Sequence, residues 1–140
     1  MKVIICLDDN GGMMFNNRRQ SRDKEVLKDI FDNLNGEKLY ISPFSQKLYE
    51  EFSDCVIIDD ALLLKAQKKD TCFIENKCLK GVSHINEIIV YKWNRVYPAD
   101  FKCDIDFSKF DLVEGIDFKG FSHDKITKET YKLKGDINEK

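Results

Sequence analysis

The sequence predicts an α/β fold, a mostly parallel central sheet with flanking helices that ends in a C-terminal antiparallel hairpin. Short β-branched apolar runs alternate with segments of helical periodicity over residues 2–75, and such alternation implies parallel strands joined by helical crossovers. After Gly81 the pattern changes to strand-like segments with no helix between them, as in an antiparallel ending. The 140 residues are 42% apolar and 34% charged with only 2 prolines, the composition of one globular domain spanning residues 1–140. A chain of this length buries very roughly two-thirds of its extended surface on folding, so no disulfide or metal staple is needed.

The elements follow in order. Lys2 to Leu7 is a nearly continuous apolar run containing Val3, Ile4 and Ile5, as expected of a central strand buried on both faces. It opens into DDNGGMMFNNRRQSRD, read as a long polar loop with an Asn-Gly-Gly turn. Val26, Leu27, Ile30, Phe31 and Leu34 then recur at helical spacing, and Asn35-Gly36 supplies the stop. KLYIS is a second strand. Ser42 as N-cap and Pro43 at the first helical position then begin a helix with Phe44, Leu48 and Phe52 on one face. CVII is a third strand, Asp60 caps a short helix through ALLLKAQ, and TCFIE is a fourth strand. INEIIVYKW, DLVEGIDF and ITKETYKL are the later strands, NRVYPADFKCDIDFSKF an ordered loop, and GDINEK a fraying tail.

Composition excludes several classes of function. The 23 basic and 25 acidic side chains leave a net charge of -2, so no overall basic field holds a nucleic-acid backbone, and any such role falls to a local patch at Arg18 to Arg22. No apolar run approaches the roughly 20 residues of a membrane helix, and MKVIICLDDN lacks a cleavage-like pattern, so a cytoplasmic protein without membrane association is expected. Cys6, Cys55, Cys72, Cys78 and Cys103 are scattered and odd in number, as buried reduced thiols are. The nearest pair, Cys72 and Cys78, is too widely spaced for a zinc knuckle. His84 and His123 belong to no metal-binding pattern and are expected in loops or on the surface. No metal is expected.

The order of a strand, a loop, a helix with an acid near its start, parallel βα units and a terminal hairpin resembles dihydrofolate reductase. DDNGGMMFNNRRQSRD is similar to a contracted first active-site loop of that family, with Asp23 on the family's acid. INEIIVYKWNRVYPADFKCDIDFSKFDLVEGIDF is similar to the stretch that leads into its last hairpin, with Ala99-Asp100 in place of Gly-Asp. The resemblance implies the reductase fold and NADPH as cofactor, with Asp23 binding a pterin-like or guanidine-like group and assisting protonation beside it. One departure bears on the cofactor: Glu75 and Asn76 stand where the family has the Gly-Gly turn that admits the pyrophosphate, and a carboxylate there meets a phosphate. GGMMFNNRRQSRD and KWNRVYPADFKCDID are also similar to a small bacterial family often labelled ribonuclease Z. True ribonuclease Z builds a two-metal site from an HxHxDH motif, which two separated histidines do not supply.

Two clusters are candidates for chemistry. Asn17, Arg18, Arg19 and Arg22 lie with Asp23 between a buried strand and a helix start, where planar guanidinium donors and free backbone N–H groups suit an anion. The ordinary use of such residues is as solvated loop charges, with Ser21 or Asp23 capping the helix. The cations at Arg19 and Arg22 favour the carboxylate form of Asp23. Gly11, Gly12, Met13 and Met14 suit either a closing lid or packing. Lys92, Trp93 and Arg95 end a strand expected beside the first, with Trp93 as a stacking surface or core residue. Three functions are therefore open. The first is a degenerate reductase-like protein binding a small anionic or nucleotide-like ligand between residues 16–23 and 92–97. The second is an active NADPH- or flavin-dependent reductase of a pterin-like substrate. The third is an RNA- or protein-binding accessory domain.

Overall fold

The computed structural model describes residues 1–135; all of GDINEK beyond Gly135 lies outside the described residues. The apolar run at the start forms β1 (Lys2–Leu7), buried on both faces. The polar stretch after it is not a plain loop. Gly12–Phe15 forms β2 and Arg18–Arg19 forms β3, joined by a tight turn in which Asn16 and Asn17 both hold positive φ, 51° and 60°. Asparagine tolerates that conformation, and a two-residue turn with both φ positive matches the twist of a hairpin. Helix α1 (Lys24–Asp32) follows, with Val26 and Ile30 buried on the face set by its periodicity.

The next crossovers are shorter than their sequences suggest. After β4 (Leu39–Ile41) the chain makes 3-10 turns over Pro43–Ser45 and Glu50–Cys55 in place of an α-helix. Ser42 makes no capping hydrogen bond, and the Ser45 hydroxyl is turned inward to donate to Glu75 at 2.7 Å. The backbone instead winds to bury Tyr49 completely, against Phe31 and Phe73. β5 (Val56–Ile58) leads to the four-residue α2 (Leu62–Lys65), where Asp59, not Asp60, receives the Ala61 N–H at 2.9 Å. β6 (Thr71–Phe73) and β7 (Glu87–Lys92) are connected without any helix. The 93–109 segment contributes β8 (Phe101–Lys102), and β9 (Phe110–Phe118) and β10 (Ile126–Leu133) form the expected antiparallel hairpin.

The main sheet runs β5-β4-β6-β1-β7-β10-β9, parallel from β5 to β7 and antiparallel at β10 and β9. A smaller sheet, β3-β2-β8, ties the first hairpin to the later loop. Val3, Ile5 and Leu7 pack with Met13, Met14 and Leu62 on one face, so both methionines are core residues and no lid. Ile4, Phe73, Ile89 and Trp93 pack with Val26 and Ile30 of α1 on the other. Burying each such side chain is worth roughly 1.5–3 kcal/mol, and the two layers fix the ends of β1, β6 and β7 against the start of α1. The cysteine expectation holds for Cys72, whereas Cys55 and Cys78 are exposed; all five thiols are free.

Candidate functional site

Asp23 lies where α1 begins, as its N-cap, and accepts the Glu25 N–H at 2.9 Å. The turn between β9 and β10 folds over it. Phe121 N–H reaches the same oxygen at 2.7 Å, while Ser122 N–H and His123 Nδ1 reach the other at 2.9 Å and 2.8 Å. Gly120 permits this approach, because a Cβ there would stand 2.6 Å from the Asp23 carboxylate and 2.9 Å from the His123 carbonyl. Asp23 is buried, which alone would raise its pKa. The Phe121 N–H, the His123 ring and the Ser122 and Glu25 N–H groups outweigh that and hold the carboxyl at about 2. The carboxylate form expected from the sequence is present, but local hydrogen bonds secure it rather than Arg19 and Arg22.

His123 is the residue that sequence reasoning missed. It lies in the loop between β9 and β10, as the sequence suggests, but it is buried there and not on the surface, with its ring stacked on Trp93 at 4.7 Å between centroids. Since the Asp23 carboxylate only accepts, His123 Nδ1 carries a proton. In the neutral ring Nε2 then accepts, with Ser21 Oγ at 3.0 Å and Tyr97 OH at 3.3 Å as its partners. A histidine with no metal-binding spacing gave no signal, for its partner Asp23 is 100 positions away.

Arg19 is also committed within the chain. Its guanidinium forms a two-pronged pair with Glu75 at 2.7 Å and 2.9 Å, and Glu75 further accepts from Ser45. The carboxylate at the end of β6 therefore does not face outward to repel a phosphate. It forms a buried ion pair that fills the place, and the connection to β7 offers no helix N-terminus. Asp8 anchors the same end of the sheet, accepting from the Gly12 and Tyr97 N–H groups and from Gln20. Burial opposes its ionisation, yet these bonds lower its pKa.

The structure brings only part of the predicted cluster together. Asn17 and Arg18 sit exposed at the tip of the first hairpin, Arg95 is exposed on another surface, and Lys92 pairs with Glu129 at 3.2 Å. Trp93 is 3% exposed and serves as a backing for His123. The 16–23 and 92–97 segments do meet, through Gln20 to the Pro98 carbonyl and Tyr97 to His123, and an open cavity of about 520 Å³ lies beside that contact, lined by Asn16, Arg18, Arg19, Gln20, Tyr97 and Pro98. Two further cavities lie on the α1 side. An inner recess of about 20 Å³, bordered by Cys6, Ser21, Asp23, Glu75 and Trp93, has room for about one water. It adjoins an outer cleft of about 490 Å³ walled by Arg22, Lys24, Lys47, Glu51, Phe52 and Phe121. Among the described residues Arg22, Lys24 and Lys47 have no carboxylate partner, and Lys24 rests over the Phe121 ring at 4.9 Å. Among the described residues no cluster of three or more His, Cys, Asp or Glu is arranged to hold a metal ion.

No protein-family model matches the chain. No curated protein matches it in sequence. Among solved structures it is similar to dihydrofolate reductase from Enterococcus faecalis complexed with NADP(H) and RAB-propyl, with a TM-score of 0.64 over 95% of each chain at 12% identity. The resemblance read from the sequence thus holds for the fold, which is that of dihydrofolate reductase. No helix is long and apolar enough to cross a membrane among the described residues.

Proposed function

We propose that this chain is a degenerate reductase-fold protein that binds a small anionic or nucleotide-like ligand in the cleft between α1 and the 43–55 segment. The observation that carries it is the trio of unpaired cations, Arg22, Lys24 and Lys47, around one cavity of about 490 Å³. That volume lies within the range of about 300–1,000 Å³ usual for small-molecule sites. Phe52 and Phe121 add apolar surface for a ring. The reductase alternative draws on the fold and on the NADP(H) of its structural neighbour. Against it stand the Arg19–Glu75 pair at the end of β6 and the full occupation of Asp23, whose acceptor sites leave no room for a pterin. The Arg18 to Arg22 patch is weak ground for RNA, since Arg19 is spent on Glu75 while Arg18 and Arg22 border different surfaces. A cytoplasmic location agrees with five free cysteines.

Thermal-shift titration with inorganic phosphate, nucleoside monophosphates and NADPH tests the proposal. A ligand at one hundred times its Kd stabilises by about 2.7 kcal/mol. The expected result is a shift with phosphate or a monophosphate that Arg22→Ala with Lys47→Ala abolishes. No shift with any of these compounds, or a shift with NADPH alone, overturns it.

A further inference from the structure

We infer that Ser21, His123 and Asp23 form a nucleophile, base and positioning acid that transfer the acyl group of a short-chain carboxylic ester to water. Three side chains stand in series, with Ser21 Oγ 3.0 Å from His123 Nε2 and His123 Nδ1 2.8 Å from Asp23 Oδ2. These are the contacts by which an imidazole takes a hydroxyl proton while a carboxylate fixes its tautomer and orientation, and such arrangements are recognised by geometry regardless of fold or chain order. Each end of the series has a physical setting that fits its role. Asp23 is held as a carboxylate by backbone N–H groups from the 120–122 turn, so it orients the ring without taking its proton. Trp93, stacked on the ring, limits its tilt. Ser21 is half-buried on the wall of the inner recess, next to the outer cleft from which a substrate would enter. Arg22 follows it in the chain and lines both spaces, so the recess and the cleft share a cationic residue next to Ser21 in sequence.

The step balances with water as the only co-substrate. Ser21 Oγ bonds to the ester carbonyl carbon as its proton passes to His123 Nε2, and the tetrahedral adduct expels the alcohol, which takes that proton. Water then attacks the acyl-serine, giving its proton to Nε2. The carbon–Oγ bond breaks, the proton returns to Ser21, and the carboxylic acid leaves. Tyr97 OH, 3.3 Å from the same Nε2, is the competing hydroxyl.

The inference does not depend on an anionic ligand, and its probes are uncharged. Wild-type protein would be incubated with p-nitrophenyl acetate and with diisopropyl fluorophosphate, following nitrophenolate release, intact mass and the labelled peptide. The expected result is one adduct per chain, on Ser21, absent in Ser21→Ala and in urea-unfolded wild type. His123→Gln, checked for folding by circular dichroism, should label at least about a hundredfold more slowly, the range of one general base. Ser21→Ala removes a single oxygen and keeps the test decisive if His123→Gln does not fold. The positioning role of Asp23 is read from the far-downfield Nδ1 proton resonance of His123, which Asp23→Asn should remove. An unlabelled folded wild type, an adduct on Tyr97, or undiminished labelling of Ser21→Ala overturns the inference.

Discussion

Replacing Asp23 by Asn tests how the terminal hairpin is held to the first helix. The side chains have nearly the same shape, and asparagine caps a helix as well as aspartate does, so the Glu25 N–H keeps its acceptor. What changes is the other oxygen, which now accepts from the Ser122 N–H at 2.9 Å and from His123 Nδ1 at 2.8 Å. An amide nitrogen there turns two charge-assisted bonds into donor–donor contacts in a buried site. Such bonds are worth about 1.5–3 kcal/mol each, and since the ring can switch tautomer and recover one of them, a net loss of about 3 kcal/mol is expected at pH 7. Acid should close the gap. The Asp23 pKa is about 2 in the folded protein against an ordinary 3.8, so its contribution is complete above pH 4 and falls as pH drops through that value toward 2. The loss amounts to up to about 2 kcal/mol. Urea unfolding of both proteins at neutral pH and at successive steps down to pH 2 measures it. A cost below about 1 kcal/mol at pH 7 would refute the argument from occupied acceptors, and so would a gap that stays constant through the acid range.

Two further predictions concern residues that look alike in the sequence. Arg19→Ala strands the buried Glu75 carboxylate and should cost about 3 kcal/mol, whereas Arg18→Ala at the exposed hairpin tip should stay within about 0.5 kcal/mol in the same unfolding assay; equal costs would contradict the assigned partners. Among the thiols, exposed Cys55 and Cys78 should react rapidly with a disulfide reagent in the native state. Cys72, pushed up to about 12 by burial, and Cys6, shifted up for the same reason, should react only on unfolding. Peptide mapping of a brief native labelling checks this, and early modification of Cys6 would contradict the packing described for β1.

Much of the fold was legible because it depends on local pattern. The apolar run of β1, the 3.6-residue spacing of α1, the Asn-Gly stop after it and the β-branched segments of β7, β9 and β10 carry their conformation in their own periodicity. The position of Asp23 at a helix start was legible for the same reason. Residues 12–19 were not, since β2 and β3 are too short for a periodic signal and β2 is held by β8, more than eighty positions away. The helix read after Ser42 failed because Tyr49 and Ser45 find better partners in Phe73 and Glu75 than a regular helix would allow. Local periodicity and capping residues were enough to set the α/β alternation, the antiparallel ending and the acid at the helix start. The site itself depends on contacts between distant parts of the chain. The pairs Asp23–His123 and Arg19–Glu75 join polar partners 100 and 56 residues apart, and the desolvation that makes such partners necessary exists only once the chain has closed around them.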